Sequence, residues 1–282
     1  MMKTPTKFIA LLSGAALLTS SAFAQGVATD PVGYVSTTLP AGSHLIAAPL
    51  NKATLYSGVA GVIAGNQVNL SSLPAVNSSA FLHVLSGTAT GKFESVVSSD
   101  ASSVTLEQVI AGLSQTDTVQ ILEHFTLADL TAASSAGIGN GSIVTIYDAA
   151  GSKSDFTHFG GDWYSSLGAV SNGVIIFPGE GVVISLDAET SFTFTGAVNT
   201  DPFSVELNDT AFKLFSLVNP SDQVGSGALT AVLDGLGNNS KITIYSADGN
   251  LSIANTYTLF GGSWYDGGGQ IVTLSIPSPS TV

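Results

Sequence analysis

Six side chains in two short stretches have the types and spacing to hold a sugar: Asp162, Trp163 and Tyr164 within FGGDWYSS, and Trp264, Tyr265 and Asp266 within FGGSWYDG. An exposed ring would stack on a pyranose face while a neighbouring carboxylate takes hydrogen bonds from its hydroxyls. The chain has only two tryptophans, and both sit in this setting. A second reading makes them internal pegs. The Gly-Gly pair permits positive φ and a sharp reversal. Strand neighbours then point to opposite faces, so one aromatic of each pair enters the core while the other stays partly wet.

Other chemistry is sparser. DFTHFGGD brings Asp155, His158 and Asp162 together, which suits acid–base or metal work, but the second stretch has no histidine there, so a solvated turn is the expectation. His44, His83 and His124 are scattered, without the spacing of metal ligands on one element. DGLGNNS (234–240) and ADGN (247–250) faintly resemble calcium loops but lack the alternating oxygens and closing glutamate. No cofactor is expected beyond loose calcium. GIGNG (137–141) opens no helix, and the chain contains no G-x-S-x-G or H-E-x-x-H motif. Glu123 and Glu180 are the least ordinary acids and read as turn or edge residues. The expectation is a protein that is not an enzyme.

The elements that must position these residues are mostly strands. Lys3 and Lys7, an apolar run over 8–18 and the small-x-small site Ala22-Phe23-Ala24 predict a signal peptide over 1–24, and hence a secreted or outer-surface location. The formal net charge is −13, with no arginine, which disfavours nucleic acid and anionic lipid. Cysteine is absent, so an apolar core alone must stabilise the fold. Abundant Gly, Ser, Thr and Val favour turns and pleated strands. No transmembrane segment is expected in the mature chain.

Four landmarks recur in order. TDP (29–31) returns at 200–202, and HLIAAP (44–49) at LFSLVNP (214–220). VTIYDAAG (144–151) returns as ITIYSADG (242–249), and each tryptophan motif follows, the second after a gap three residues longer. This predicts an internal duplication: a β module over 25–199 carrying an inserted hairpin, and a shorter one over 200–282. FLHVLSGTATGKFESVVSS supplies the inserted hairpin and SSVTLE a further strand. Strict alternation at Phe192-Thr193-Phe194-Thr195 predicts a half-buried strand. The second copy ends before its equivalent, so strands of the first are expected to complete its sheet. Leu229, Val232, Leu233 and Leu236 have helical spacing, and FTLADLTAA (125–133) is a shorter counterpart. LEQVIAGL (106–113) has similar spacing, weakened by Gly112. The fold class expected is mainly β, with two related sandwich- or barrel-like modules and one or two short helices.

The order TDPVGYV, LIAAPL, FLHVLSGTATGKFESV, SSVTLE, DTVQILEHFTLADL, GGDWY, FPGEGVVIS resembles a family of uncharacterised secreted proteins found chiefly in Verrucomicrobia and related bacteria. The resemblance covers most of the chain and is clearest over 81–185. It departs at the end, where LSIPSPSTV stands in place of a second PGEG strand. It implies export from a Gram-negative cell and carries no assigned activity. The expected function is a non-catalytic secreted or cell-surface structural protein, its partners other copies of itself or an extracellular polysaccharide. The alternative is a carbohydrate-binding or adhesion module.

Overall fold

The computed structural model describes residues 32–76, 79–148, 150–204, 214, 236–245, 251 and 253–272. The expected signal peptide and most of the helix around Leu229 lie outside them. The elements, in chain order, begin with strands β1 (Val32–Leu39), β2 (Gly42–Ile46), β3 (Thr54–Val59), β4 (Ile63–Ala64), β5 (Gln67–Asn69), β6 (Ala80–Val84) and β7 (Phe93–Ser99). Next come β8 (Ser103–Leu106), β9 (Thr118–Glu123), β10 (Phe125–Thr126), helix α1 (Leu127–Ala133), β11 (Ile143–Tyr147), β12 (Lys153–Phe159) and β13 (Asp162–Ser165). The last are β14 (Ile175–Ile176), β15 (Val182–Leu186), β16 (Thr190–Ala197), β17 (Lys241–Tyr245), β18 (Ile253–Phe260), β19 (Ser263–Tyr265) and β20 (Ile271–Val272). The protein is mainly β, with one helix among the described residues and several sheets, none of them closed.

A five-stranded sheet, β13-β12-β11-β15-β2, carries the first tryptophan motif. Its inner face presents Val144, Phe156, Trp163, Val182 and Ile184 to α1 and to the ribbon in which β1 pairs with β16 along eight residues. That ribbon joins the two ends of the 32–197 region. The alternation read at 192–195 holds: Phe192 and Phe194 are buried, and Thr193 and Thr195 face out. α1 matches the expected shorter helix. Thr126 caps it and Asp129 closes a capping box, satisfying amides the first turn would leave free.

The insert is larger than a hairpin layer. β6 and β7 do pair as expected, but they belong to a seven-stranded sheet, β3-β9-β6-β7-β8-β5-β4, with a core of its own. The cause lies in β6, buried at all five positions. Ala80, Leu82 and Val84 fill that core. Phe81 and His83 face the other way, against Phe93, His124 and Phe203, and Phe177 of the PGEG turn packs edge-on to His124. A strand buried on both faces needs neighbours on both edges, and β9 and β7 supply them. At 106–113 no helix forms; Gly112 turns the chain at a φ of 92°.

The second tryptophan motif lies in a four-stranded sheet, β17-β18-β19-β20. Among the described residues no strand of the first region joins it, contrary to expectation. Ile242, Leu259 and Trp264 form its buried cluster, with Leu236, Ile244, Tyr257 and Val272 packed around them.

Candidate functional site

The two tryptophan motifs adopt one backbone arrangement. In β12–β13, Thr157 pairs with Tyr164, His158 with Trp163 and Phe159 with Asp162. In β18–β19, Thr258 pairs with Tyr265, Leu259 with Trp264 and Phe260 with Ser263. Each reversal runs through two glycines at positive φ, 64° and 97° at Gly160 and Gly161, 57° and 78° at Gly261 and Gly262. Each first glycine donates its amide to an asparagine side chain upstream: Gly160 to Asn140 Oδ1 at 2.8 Å, Gly261 to Asn238 Oδ1 at 2.9 Å. After each motif the chain turns again, with Ser165 donating its amide to Ala169 and Asp266 donating its own to Gln270. Of the three extra residues before the second tryptophan motif, one is taken up by a bulge where the register shifts between Ile244 and Tyr245.

The paired asparagines escape sequence reading, yet a signal exists. Asn-x-Ser precedes both VTIY and ITIY, as Asn140-Gly141-Ser142 and Asn238-Asn239-Ser240. Asn238 lies in the stretch compared with a calcium loop, and its carboxamide oxygen is occupied in holding the turn; Asp234 and 246–250 lie outside the described residues. Among the described residues no three carboxylates or histidines cluster for a metal ion.

Strand alternation sends both indoles inward. Trp163 is 0% and Trp264 3% exposed, so neither ring can stack on a sugar. Trp163 Nε1 donates to Thr131 Oγ1 at 2.8 Å, which ties the motif to α1. Tyr164 and Tyr265 lie half-buried on the outer face. Asp162 and Asp266 occupy different places. Asp162 precedes its tryptophan and accepts from Asn172 Nδ2 at 2.6 Å, while Asn172 Oδ1 receives the Trp163 amide. Asp266 follows its tryptophan and accepts the Gly268 and Gln270 amides, closing its own turn.

His158 corrects the solvated-turn expectation. It points inward from β12, is buried, and sets its ring edge-on to Trp163 at 5.0 Å. Leu259 fills the same place in the second motif, so the site is apolar. Asp155 faces outward instead. The Thr145 hydroxyl first, then Lys153, hold its carboxyl below the usual range.

On the outer face the motifs match once more. Phe159 is 63% and Phe260 60% exposed; Val170 is 60% and Ile271 68% exposed. Val170 bridges to Tyr164 and Ile271 pairs with Tyr265, so each face carries a phenylalanine, a tyrosine and a β-branched residue. Leu167 adds to the first. Phe159 and Tyr164 stand diagonally across the ladder, the separation at which rings on one face reach the same ligand.

A second feature lies near α1. Lys52 Nζ sits 3.0 Å from Asp129 Oδ1 and 3.3 Å from Glu123 Oε2, in a shallow cleft also lined by Phe81, Phe125, Ile176 and Pro178. Burial lowers the ammonium's affinity for its proton, but the two carboxylates outweigh it and hold Lys52 above its usual value. The cluster is a closed ion triad whose aspartate also caps α1. Glu180 accepts the Phe177 amide and shapes the PGEG turn. His124, next to Glu123, turns away from the triad toward Ser95 Oγ at 3.2 Å.

Compared with family models, with curated proteins and with solved structures, the chain matches none.

Proposed function

We propose that the protein is a non-catalytic structural component exported to the cell surface or the extracellular matrix, built on a duplicated β unit that holds one contact face in each copy. The observation that carries this reading is the matched exposure of Phe159 with Phe260 and of Val170 with Ile271. A core needs the buried indoles; it does not need an exposed phenylalanine at the same place twice. Apolar side chains clustered on a surface mark contact sites. The leader-like start, the acidic composition and the resemblance to secreted proteins support export. Sedimentation and electron microscopy of the mature protein test the reading. Wild type forms assemblies, and Phe159→Ser with Phe260→Ser weakens them without loss of secondary structure. A monomer under all conditions refutes it.

One observation favours a second reading, carbohydrate binding. Phe159, Tyr164 and Asp162 share an outer face, two rings beside a carboxylate. The net charge of −13 points to a neutral glycan. A glycan array separates the readings: retention lost in Phe159→Ala and Tyr164→Ala supports binding, and no retained glycan removes it.

A further inference from the structure

We propose that the outer edge of β17 is a self-association site that takes β17 of a second copy in antiparallel pairing; this rests on the structural reading above. In the five-stranded sheet, β11 has β12 on one side and β15 on the other, with Val144 opposite Ile184 and Thr145 opposite Val183. β17 holds the corresponding place beside β18, and among the described residues no strand pairs with its other side. Leu259 donates its amide to the Ser240 carbonyl. Antiparallel pairs alternate, so Ile242 and Ile244 also turn their backbone groups to β18. Lys241, Thr243 and Tyr245 therefore aim theirs at the open edge. A strand rich in β-branched residues with an open row of backbone groups is a template for another strand.

A second copy fits that edge. Pairing Thr243 with its own mate sets Ile242 opposite Ile244 and Lys241 opposite Tyr245, the self-complementary arrangement a two-fold axis requires. The isoleucines lie on the face that buries Leu259 and Trp264, so pairing extends an existing apolar layer. Charge does not oppose the pairing. Lys241 is the strand's one charged residue and meets a tyrosine ring, a favourable cation–π partner. Residues 239–245 carry no carboxylate, so the join avoids the repulsion expected between chains of net charge −13.

The chain has no cysteine, so single replacements report contacts without ambiguity. In this register the two Thr243 Cα atoms lie about 5.5 Å apart, within disulfide reach, whereas the two Lys241 Cα atoms lie roughly 14 Å apart along the strands. Mild oxidation of full-length mature protein should give a disulfide dimer with Thr243→Cys and none with Lys241→Cys. Thr243→Pro removes an outward amide and leaves the ladder to β18 intact; it should shift sedimentation to smaller species with circular dichroism unchanged. Undiminished association in Thr243→Pro overturns the β17 pairing and leaves the structural reading standing. A wild-type monomer removes both. A Thr243 amide protected from exchange in that monomer, or an edge that captures only foreign strands, also overturns it.

Discussion

Trp163 and Trp264 do the same mechanical job with different supports. Trp163 is wholly enclosed and bonded to Thr131, whereas Trp264 closes a smaller cluster. Trp163→Ala should cost about 3–5 kcal/mol in denaturant unfolding, because it leaves a cavity the surroundings fill only in part. Trp163→Phe should cost less, about 1–3 kcal/mol, for the smaller ring and the lost hydrogen bond to Thr131, whose hydroxyl keeps the Leu127 carbonyl. A different kind of effect belongs to His124. Burial pulls its pKa from the ordinary 6.5 down to about 4. The unfolded chain therefore takes up the proton first. Stability is complete above about pH 6.5, falls as pH drops toward about 4, and levels off below, a loss on the order of 3 kcal/mol. His83 adds in the same direction, since burial outweighs the Pro202 carbonyl and Asp201 that favour its charge. Unfolding measured across that window should show the slope, and His124→Phe, which keeps a ring among Phe81 and Phe177, should flatten it.

The repeated element is a glycine reversal held by an asparagine. Nothing lies within 4 Å of a Cβ built on Gly161, and its φ is 97°. Gly161→Ala should therefore destabilise through backbone strain alone, by about 1–2 kcal/mol, read as a shifted denaturation midpoint with an unchanged slope. Much of this element was legible in the sequence. Gly-Gly followed by Trp-Tyr twice, with VTIY and ITIY upstream, predicts like turns, and alternation predicts that the two rings of each pair part company. The inward direction of Trp rather than Tyr required the ladder. Asn140 and Asn238 were not legible because each bonds a glycine far along the chain. The breadth of the inserted sheet was hidden for a related reason: β3 pairs with β9, and β9 with β6, across long stretches of chain that strand period does not reveal. His158 misled because its neighbours Asp155 and Asp162 are polar, while strand period alone decides which side it faces.

For the whole molecule, charge and apolar surface pull against each other. A net charge of −13 drives copies apart, and on the proposed reading the exposed faces at Phe159 and Phe260 draw them together. Screening tips that balance. Raising salt from about 0.01 M to about 0.15 M shortens the range of repulsion from ~30 Å to ~8 Å. Sedimentation should then show heavier species as salt rises, with Phe159→Ser and Phe260→Ser blunting the change. The contact at His83 should hold throughout: its ring stacks on Phe203 at 4.2 Å and bonds the Pro202 carbonyl, so the residues just after β16 are held against the inserted sheet.

On the proposed reading, in which each exposed patch binds another copy, carrying it twice gives each chain a valence of two. Units of valence two link into strings rather than closing as pairs, and a third junction at a strand edge would tie those strings into a mesh. A solution of such units grows viscous before anything settles out, and cutting one link per unit turns the gel back into a liquid.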